Sequence, residues 1–226
     1  MNIIRHALII AQKDLYSEWK TKQTISTMLI FSGLVILVFS FAFDPTNNTM
    51  KAVLPGVLWV IIVFAGILGL NRSFLSEQKN DNIQGLIVSP VEPCSLYLGK
   101  MIANLILLFV VEIVSIPFLF LLFDFRWMGS LSFFILIILI GTFGFVSIGT
   151  FLAALAANSQ TSEMLLPIIL FPVVSPVLIG VVQATKIVLT NIEKLDSAIS
   201  WMQLIAAYDV IFFVLCFLLI EYVLEV

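Results

Sequence analysis

The sequence predicts an all-α polytopic membrane protein with six transmembrane helices. Its 226 residues are 61% hydrophobic and only 11% charged, whereas a soluble domain carries about 25% charged residues. So few charges cannot cover a surface that faces water. Apolar runs close to the roughly 20 residues that cross a bilayer core recur along the chain, and each is followed by a polar or charged segment.

The predicted spans are joined by short polar turns and by two longer polar segments. The six spans are residues 24–43, 53–70, 98–123, 131–157, 164–182 and 201–224. Residues 71–97 form the most polar long stretch of the chain. Residues 184–200 are too charged to span a membrane but carry apolar residues at helical spacing. We therefore predict an external helix over residues 184–200, within a single transmembrane domain that covers residues 1–226.

Residues 1–22 show the pattern of an amphipathic helix. Ile4, Leu8, Ala11, Leu15 and Trp19 recur at helical spacing, and the charged residues fall on other faces. Such a helix binds along a membrane surface. The alternative interpretation is that it packs against another subunit.

The distribution of basic residues predicts the orientation of the chain. With six spans both termini lie on one side, and that side has the larger number of Lys and Arg residues. It carries Arg5, Lys13, Lys20, Lys22, Arg72, Lys79 and Lys100, against Lys51, Arg126, Lys186 and Lys194 on the other side. By the positive-inside rule, both termini and the long polar stretch are expected to be cytoplasmic. The net charge of −3, without a basic stripe, predicts no nucleic-acid partner.

Two carboxylates lie inside predicted spans, Glu112 in the third and Asp209 in the sixth. A charged carboxylate at the bilayer centre costs on the order of 3 kcal/mol, so such residues usually have a partner. Each is either a polar point on a substrate path or at a subunit interface, or a structural hydrogen-bonding group. For Asp209 the structural interpretation is favoured. None of the basic residues is placed inside a span, which argues against a proton-coupled transporter.

The fifth and fourth spans carry unusual residue patterns. Pro167, Pro172 and Pro176 all fall in the fifth span, and because proline removes a backbone donor we expect this span to be bent or broken. Together with residues 184–200 it is predicted to form an outer gate. In the fourth span small residues recur every four positions, which favours close helix packing. They are Gly141, Gly149, Ala153 and Ala157. Packing within the chain is favoured over a subunit interface.

Motifs for catalysis or metal binding are not found in the sequence. Gly99-Lys100-Met101 superficially resembles the end of a phosphate-binding loop, but Cys94 and Met101 stand where Gly and Ser or Thr are needed. With one histidine and two cysteines, neither a metal site nor a bound cofactor is expected. The protein is therefore predicted not to be an enzyme.

The polar stretch 71–97 has three open interpretations. It is disordered, it binds a soluble partner, or it forms a short helix that a partner contacts. The spacing of its apolar residues favours a short helix parallel to the membrane, which ends before Pro90 because a residue that precedes proline is disfavoured in a helix.

Several segments resemble the ABC-2 type transporter permeases. RSFLSE after the second span, GLIVSP, and YLGK at the start of the third span are similar to the first cytoplasmic loop of these proteins. The later AYDVIFF and EYVLE segments resemble, more specifically, the CcmB family, the haem exporter B subunits. The resemblance covers essentially the whole chain and implies a permease domain. It also implies that the loop receives motion from a partner ATPase through Phe74, Glu77, Gly85, Leu86, Ser89 and Pro90.

The resemblance also implies partners and a location. The expected partners are a CcmA-like ATPase dimer, a second copy of the chain, CcmC-like and CcmD-like membrane subunits, and a CcmE-like haem chaperone. ATP would be bound by the ATPase, and haem is a candidate cargo of the complex, in the bacterial cytoplasmic (inner) membrane. The single histidine, His6, favours a mechanical role in haem delivery or in release of the loaded chaperone.

Three rival functions stay open at this point. The first is an ABC-2 exporter of another cargo, such as a lipid, drug or polysaccharide. The second is a membrane scaffold that holds a haem-handling subunit without transport. The third and least favoured is a secondary transporter, because the sequence shows no charge pairs within the membrane.

Overall fold

The protein is all-α over the part of the chain that the structure describes. The computed structural model describes residues 2–43, 48–78, 92–125, 129–157, 162–190 and 195–224, and only the backbone of residues 2, 48–51, 74–78, 162–163, 195 and 224. The helices are α1 (Asn2–Thr21), α2 (Gln23–Ala42), α3 (Asn48–Gln78), α4 (Pro93–Leu122), α5 (Leu131–Ala157), α6 (Ser162–Thr190) and α7 (Leu195–Leu224).

The six helices from α2 to α7 are long and apolar enough to cross a membrane. This confirms the six predicted spans and a polytopic membrane protein. Four of these helices are longer than the predicted spans. Helix α3 extends over Asn48–Gln78, α4 begins at Pro93 rather than near residue 98, α6 continues to Thr190, and α7 begins at Leu195 rather than at residue 201. The apolar runs in the sequence mark the part of a helix that fits the bilayer core, whereas the helical hydrogen bonds continue beyond it.

Helix α5 is the centre of the bundle. It packs against α3, α4, α6 and α7, while α2 packs on α3 and α4 at the side. Because successive spans run in opposite directions, α3 ends and α4 begins at the same end of the bundle. We call this the loop end, since residues 79–91 connect the two helices there.

A helix-ending motif stops α4 at Leu122, one residue before the predicted end of the third span. The Asp124 backbone has a left-handed φ of 43°. Its N–H donates to the Leu121 carbonyl at 3.3 Å, and the Phe125 N–H donates to the Phe120 carbonyl at 3.0 Å. The Phe120 and Phe125 rings stack with centroids 5.3 Å apart. These are the two backbone bonds and the apolar contact of a Schellman motif.

The predicted external helix over residues 184–200 is wrong. Residues 184–190 form the last two turns of α6, and residues 195–200 begin α7. Ala184, Val188 and Ala198 are fully buried in the bundle, while Lys186 is exposed. Ala184, Val188 and Ala198 therefore lie on the inner faces of two long helices, and Lys186 and Asp196 lie on their exposed faces. Residues 191–194 lie outside the described residues.

Helix α6 continues through all three of its prolines, so the expected break is not found. Pro176 has no N–H for the Pro172 carbonyl, and the Ser175 hydroxyl donates to that carbonyl at 2.9 Å. The prolines lie in the first half of α6, and Ala184 lies about 12 Å beyond Pro176 at the helical rise. The prolines and residues 184–200 are thus at different depths. The gate role of Pro167, Pro172 and Pro176 stays a prediction.

The small residues of α5 serve packing within the chain, as predicted. A side chain at Gly149 would collide with Leu70 of α3, and one at Gly141 would collide with the Trp59 ring. Ala153 and Ala157 are buried. Small side chains let α3 and α5 approach closely, as in other membrane helix pairs.

Candidate functional site at the loop end and in the membrane interior

Helix α1 is docked against α4 at the loop end. Ala7 and Ala11 are buried on the side of α1 that meets α4. Gly99 of α4 lies at this contact, because a Cβ there would be 2.8 Å from the Ala7 carbonyl oxygen and 2.8 Å from Ile10 Cβ. The Gly99-Lys100 pair that superficially resembled a phosphate-binding loop thus serves helix docking.

A second face of α1 is apolar and exposed. Ile4, Leu8 and Trp19 are 69%, 54% and 75% exposed, although each belongs to the predicted apolar stripe. The helix itself is confirmed, and its docked face contacts its own chain. An exposed apolar stripe on a helix with a separate charged face is what binding to a membrane surface requires, and that binding stays a prediction.

Lys100 is a buried cation within α4. Its side chain is 1% exposed, and its Nζ atom lies 2.9 Å from Asp14 Oδ2 on α1. It also donates to the backbone carbonyl of Ser73 in α3 at 2.9 Å. The expectation that no basic residue lies inside a span is therefore wrong: the predicted third span, residues 98–123, already contained Lys100, and the structure places it within α4. A signal was present in the sequence: Ala7, Ala11, Asp14 and Glu18 share one face of α1.

Glu18 caps the next helix from one turn further along α1. Its Oε1 atom accepts hydrogen bonds from the backbone N–H groups of Thr24 at 2.7 Å and Ile25 at 3.0 Å. These groups lie in the first turn of α2, whose donors have no partner within the helix. Lys22 makes the bend between α1 and α2 with a left-handed φ of 52°. The carboxylate of one helix thus fixes the start of the next.

The predicted coupling residues fall at the two ends of the loop and within it. Phe74 and Glu77 lie in the last two turns of α3, where only the backbone is described. Residues 71–78 and 93–97 are helical, so the polar stretch begins and ends as a continuation of two spans. Gly85, Leu86, Ser89 and Pro90 lie outside the described residues.

Glu112 has a hydrogen-bonding partner in the membrane interior. The Thr142 hydroxyl of α5 donates to Glu112 Oε1 at 2.6 Å, and both side chains are buried. Glu112 and Ser115 line a narrow cleft between α3 and α4 that is otherwise apolar. Glu112 Oε2 is buried and makes no hydrogen bond with the described residues. One carboxyl oxygen therefore accepts a hydrogen bond from α5, and the Glu112 side chain as a whole lines the cleft.

Asp209 lies against the backbone of α5. It is 3% exposed, and a side chain at Gly144 would collide with its carboxyl group. Neither of its oxygens has a hydrogen-bond partner among the described residues. Thr142 and Gly144 are two positions apart, or roughly 200° around α5. The structure thus places Glu112 and Asp209 on different sides of the central helix and does not bring them together.

Further polar contacts join α4 and α5, and the sequence did not single them out. The Tyr97 hydroxyl donates to the Ser147 carbonyl at 3.1 Å, and the Asn104 amide donates to the Thr150 hydroxyl at 3.4 Å. The described residues contain no cluster of His, Cys, Asp and Glu that could hold a metal ion. The hydrogen bonds between α4 and α5 fix these helices in register, and polar contacts among α1, α3 and α4 lie at the loop end.

Comparison with known proteins shows a family. The family model described as "CcmB protein" matches residues 5–225. The chain is 26% identical over 164 residues to "Heme exporter protein B" of Pseudomonas aeruginosa, which covers 71% of this chain and 73% of that protein. It is 26% identical over 168 residues to the Bradyrhizobium diazoefficiens protein of the same name, covering 72% and 73%. For the Escherichia coli (strain K12) protein the match is 23% over 95 residues, covering 42% and 43%.

Proposed function

This chain belongs to the CcmB protein family, and we propose that it acts as the permease subunit of an ABC transporter in c-type cytochrome biogenesis. The observation that carries the proposal is the family match from residue 5 to residue 225, together with relatives named heme exporter protein B. The proposed output is haem delivery, or release of a haem-loaded chaperone.

The energy would come from a partner ATPase. Gly99 and Lys100 are engaged with α1, and the sequence offers no other phosphate-binding loop. A CcmA-like ATPase dimer bound to two copies of this chain supplies the hydrolysis in this proposal. CcmC-like and CcmD-like membrane subunits and a CcmE-like chaperone complete the assembly in the bacterial inner membrane.

The loop end is the proposed contact with the ATPase. In the proposed orientation the loop end faces the cytoplasm, and both termini of the chain lie on the same side. Because α3 continues to Gln78 and α4 begins at Pro93, a force on the connecting residues acts directly on two spans. Phe74, Glu77, Gly85, Leu86, Ser89 and Pro90 are the residues proposed to receive that force.

The test replaces residues 85–90 with a Gly-Ser sequence of the same length in the otherwise intact chain. We expect normal membrane insertion and loss of c-type cytochromes, measured by covalent haem staining in a strain that lacks the native gene. The matched control replaces the six residues 44–49, at the opposite end of the bundle, and should retain cytochrome formation. Normal cytochrome formation after replacement of residues 85–90 would contradict the coupling role.

Purification from native membranes separates the rival functions. Mass spectrometry of the purified protein should find an ATPase and a haem-binding membrane partner, and the visible spectrum should show a Soret band. An ATPase without tetrapyrrole, with normal cytochromes in a deletion strain, would instead indicate an exporter of another cargo. Function that survives inactivation of the ATPase would indicate a scaffold.

A further inference from the structure

Lys100 is the buried basic side chain that ties the loop end together. It is the eighth residue of α4 and is 1% exposed. A buried ammonium group is costly unless it is paired and hydrogen-bonded. The contacts of Lys100 are therefore needed to compensate for its burial, unlike an ion pair between two side chains on the surface.

The contacts of Lys100 join three helices. Its Nζ atom lies 2.9 Å from Asp14 Oδ2 of α1 and 2.9 Å from the Ser73 carbonyl of α3. Ser73 lies in α3 six residues before the connecting residues 79–91, and Lys100 lies in α4 nine residues after them. One ammonium group, which has three donors, thus holds both ends of the loop and the N-terminal helix.

The surroundings of this contact leave little freedom for α1. Gly99 allows the α1 backbone to lie directly on α4, and one turn beyond Asp14 the Glu18 carboxylate caps α2. Asp14 and Glu18 are four residues apart and share a face of α1. Helix α1 is therefore fixed to α3 and α4 at Asp14, and to α2 one turn later at Glu18.

We infer that Lys100 is a positioning residue, which makes α1 and the two ends of the loop move as one body. The inference rests on the proposed function, in which the ATPase acts on the loop. A force on the loop then moves α3, α4 and α1 together and, through the Glu18 cap, the start of α2. Without the Lys100 contacts α1 keeps only its packing on α4 and loses its link to α3 through Ser73, so the same force moves α1 less than it moves α3 and α4.

The test compares Lys100→Met with Lys13→Met in the intact ATPase-containing complex. Lys13 also contacts Asp14, at 3.3 Å, but its side chain is 57% exposed, and exposed ion pairs contribute little. The first measurement is amide hydrogen exchange of α1, which does not depend on transport. We expect faster exchange across α1 in Lys100→Met and no change in Lys13→Met. Unchanged exchange in Lys100→Met would overturn the inference, whatever the function of the complex.

The second measurement is the coupling ratio, defined as c-type cytochrome formed in cells relative to ATP hydrolysed by the purified complex. Lys100→Met should retain ATP hydrolysis and lower the ratio by about 2- to 30-fold, the range found for residues that carry coupling. Lys100→Arg, which keeps the cation, should recover part of the ratio. A loosened α1 with an unchanged ratio would overturn the inference. A complex without any ATPase would instead overturn the proposed function, and the exchange result would still be interpretable.

The double variant Lys100→Met/Asp14→Asn guards against simple misfolding. Removing only the Lys100 cation leaves the partly buried Asp14 carboxylate without its buried partner and with only the exposed Lys13 beside it, whereas removing both charges avoids that cost. We therefore expect the double variant to insert and assemble at the wild-type level while its coupling ratio stays low. Recovery of the full ratio in the double variant would show that the ion pair serves folding alone and would overturn the inference.

Discussion

The hydrogen bond between Thr142 and Glu112 can be tested by a double-mutant cycle. Thr142→Val replaces the hydroxyl with a methyl group of similar size and removes the 2.6 Å bond to Glu112 Oε1. Glu112→Leu removes the carboxyl group and keeps an apolar side chain of similar length. The double variant removes both partners. Each change lies inside the bundle, where Thr142 is fully buried and Glu112 is 3% exposed.

The two single variants are expected to change the free energy of unfolding by different amounts or in opposite directions. Thr142→Val leaves the carboxyl group with no hydrogen bond from the described residues, since Glu112 Oε2 already has none there. Leaving such a group unsatisfied costs about 1–3 kcal/mol. Glu112→Leu should be neutral or stabilising, because a threonine hydroxyl in a helix can donate to the carbonyl one turn earlier. The interaction energy should be about 1–2 kcal/mol, at the upper end of values found in membranes.

The assay is reversible unfolding of the purified protein in mild detergent or bicelles, combined with covalent haem staining of cells. If the single effects add to within about 0.5 kcal/mol, the bond contributes nothing and the structural interpretation is refuted. If Glu112→Leu is stable but abolishes cytochrome formation, while Thr142→Val retains it, the carboxyl group acts on the path. If both retain it, Glu112 is structural. The cycle thus decides between the two interpretations that the sequence left open.

Three further predictions concern contacts between helices. Glu18→Ala should lower the free energy of unfolding by about 1 kcal/mol, because the cap on α2 is lost. Glu18→Gln keeps an accepting oxygen, so this variant should unfold near the wild-type midpoint. Equal unfolding midpoints for Glu18→Ala and Glu18→Gln would contradict the capping role of Glu18. Gly149→Ala should cost about 1–3 kcal/mol by overpacking. Leu70→Ala should cost less in the Gly149→Ala chain than in the wild-type chain in the same unfolding assay, and equal costs in the two chains would show that the two residues do not meet. Gly99→Ala should loosen α1, raising its amide exchange by about 5-fold or more; exchange at the wild-type rate would show that α1 docks elsewhere.

The spans could be predicted because hydropathy is a local property. Each of the six is a run of apolar residues, and even the end of α4, two residues before Asp124, followed from a charge after such a run. The error over residues 184–200 has the same origin. Lys186 raised the polarity of that segment, although it lies on the exposed face of a helix whose other face is buried. Mean polarity does not separate the two faces of a long span.

The loop-end contacts could not be predicted in the same way, because they depend on tertiary structure. Asp14 and Lys100 meet only because α1 folds back onto α4, and their separation along the chain gives no sign of it. The sequence did not support Gly99 as part of a phosphate-binding loop and indicated no other role for it, and its place beside Ala7 depends on how α1 packs on α4. The sequence therefore identified polar residues in apolar segments as candidates for specific contacts, but it did not identify the residues that they contact.

Register between the helices follows from the same few polar residues. Contacts between apolar side chains are non-directional, and lipid chains compete for them equally well, so they do not determine how far one span is shifted along another. Hydrogen bonds require a defined donor and acceptor. Tyr97, Asn104 and Glu112 lie on α4 at intervals of seven and eight residues, close to whole pairs of turns, and each meets a partner on α5. These three contacts hold α4 and α5 in one register, so a displacement of α4 at the loop end would carry the central helix α5 with it.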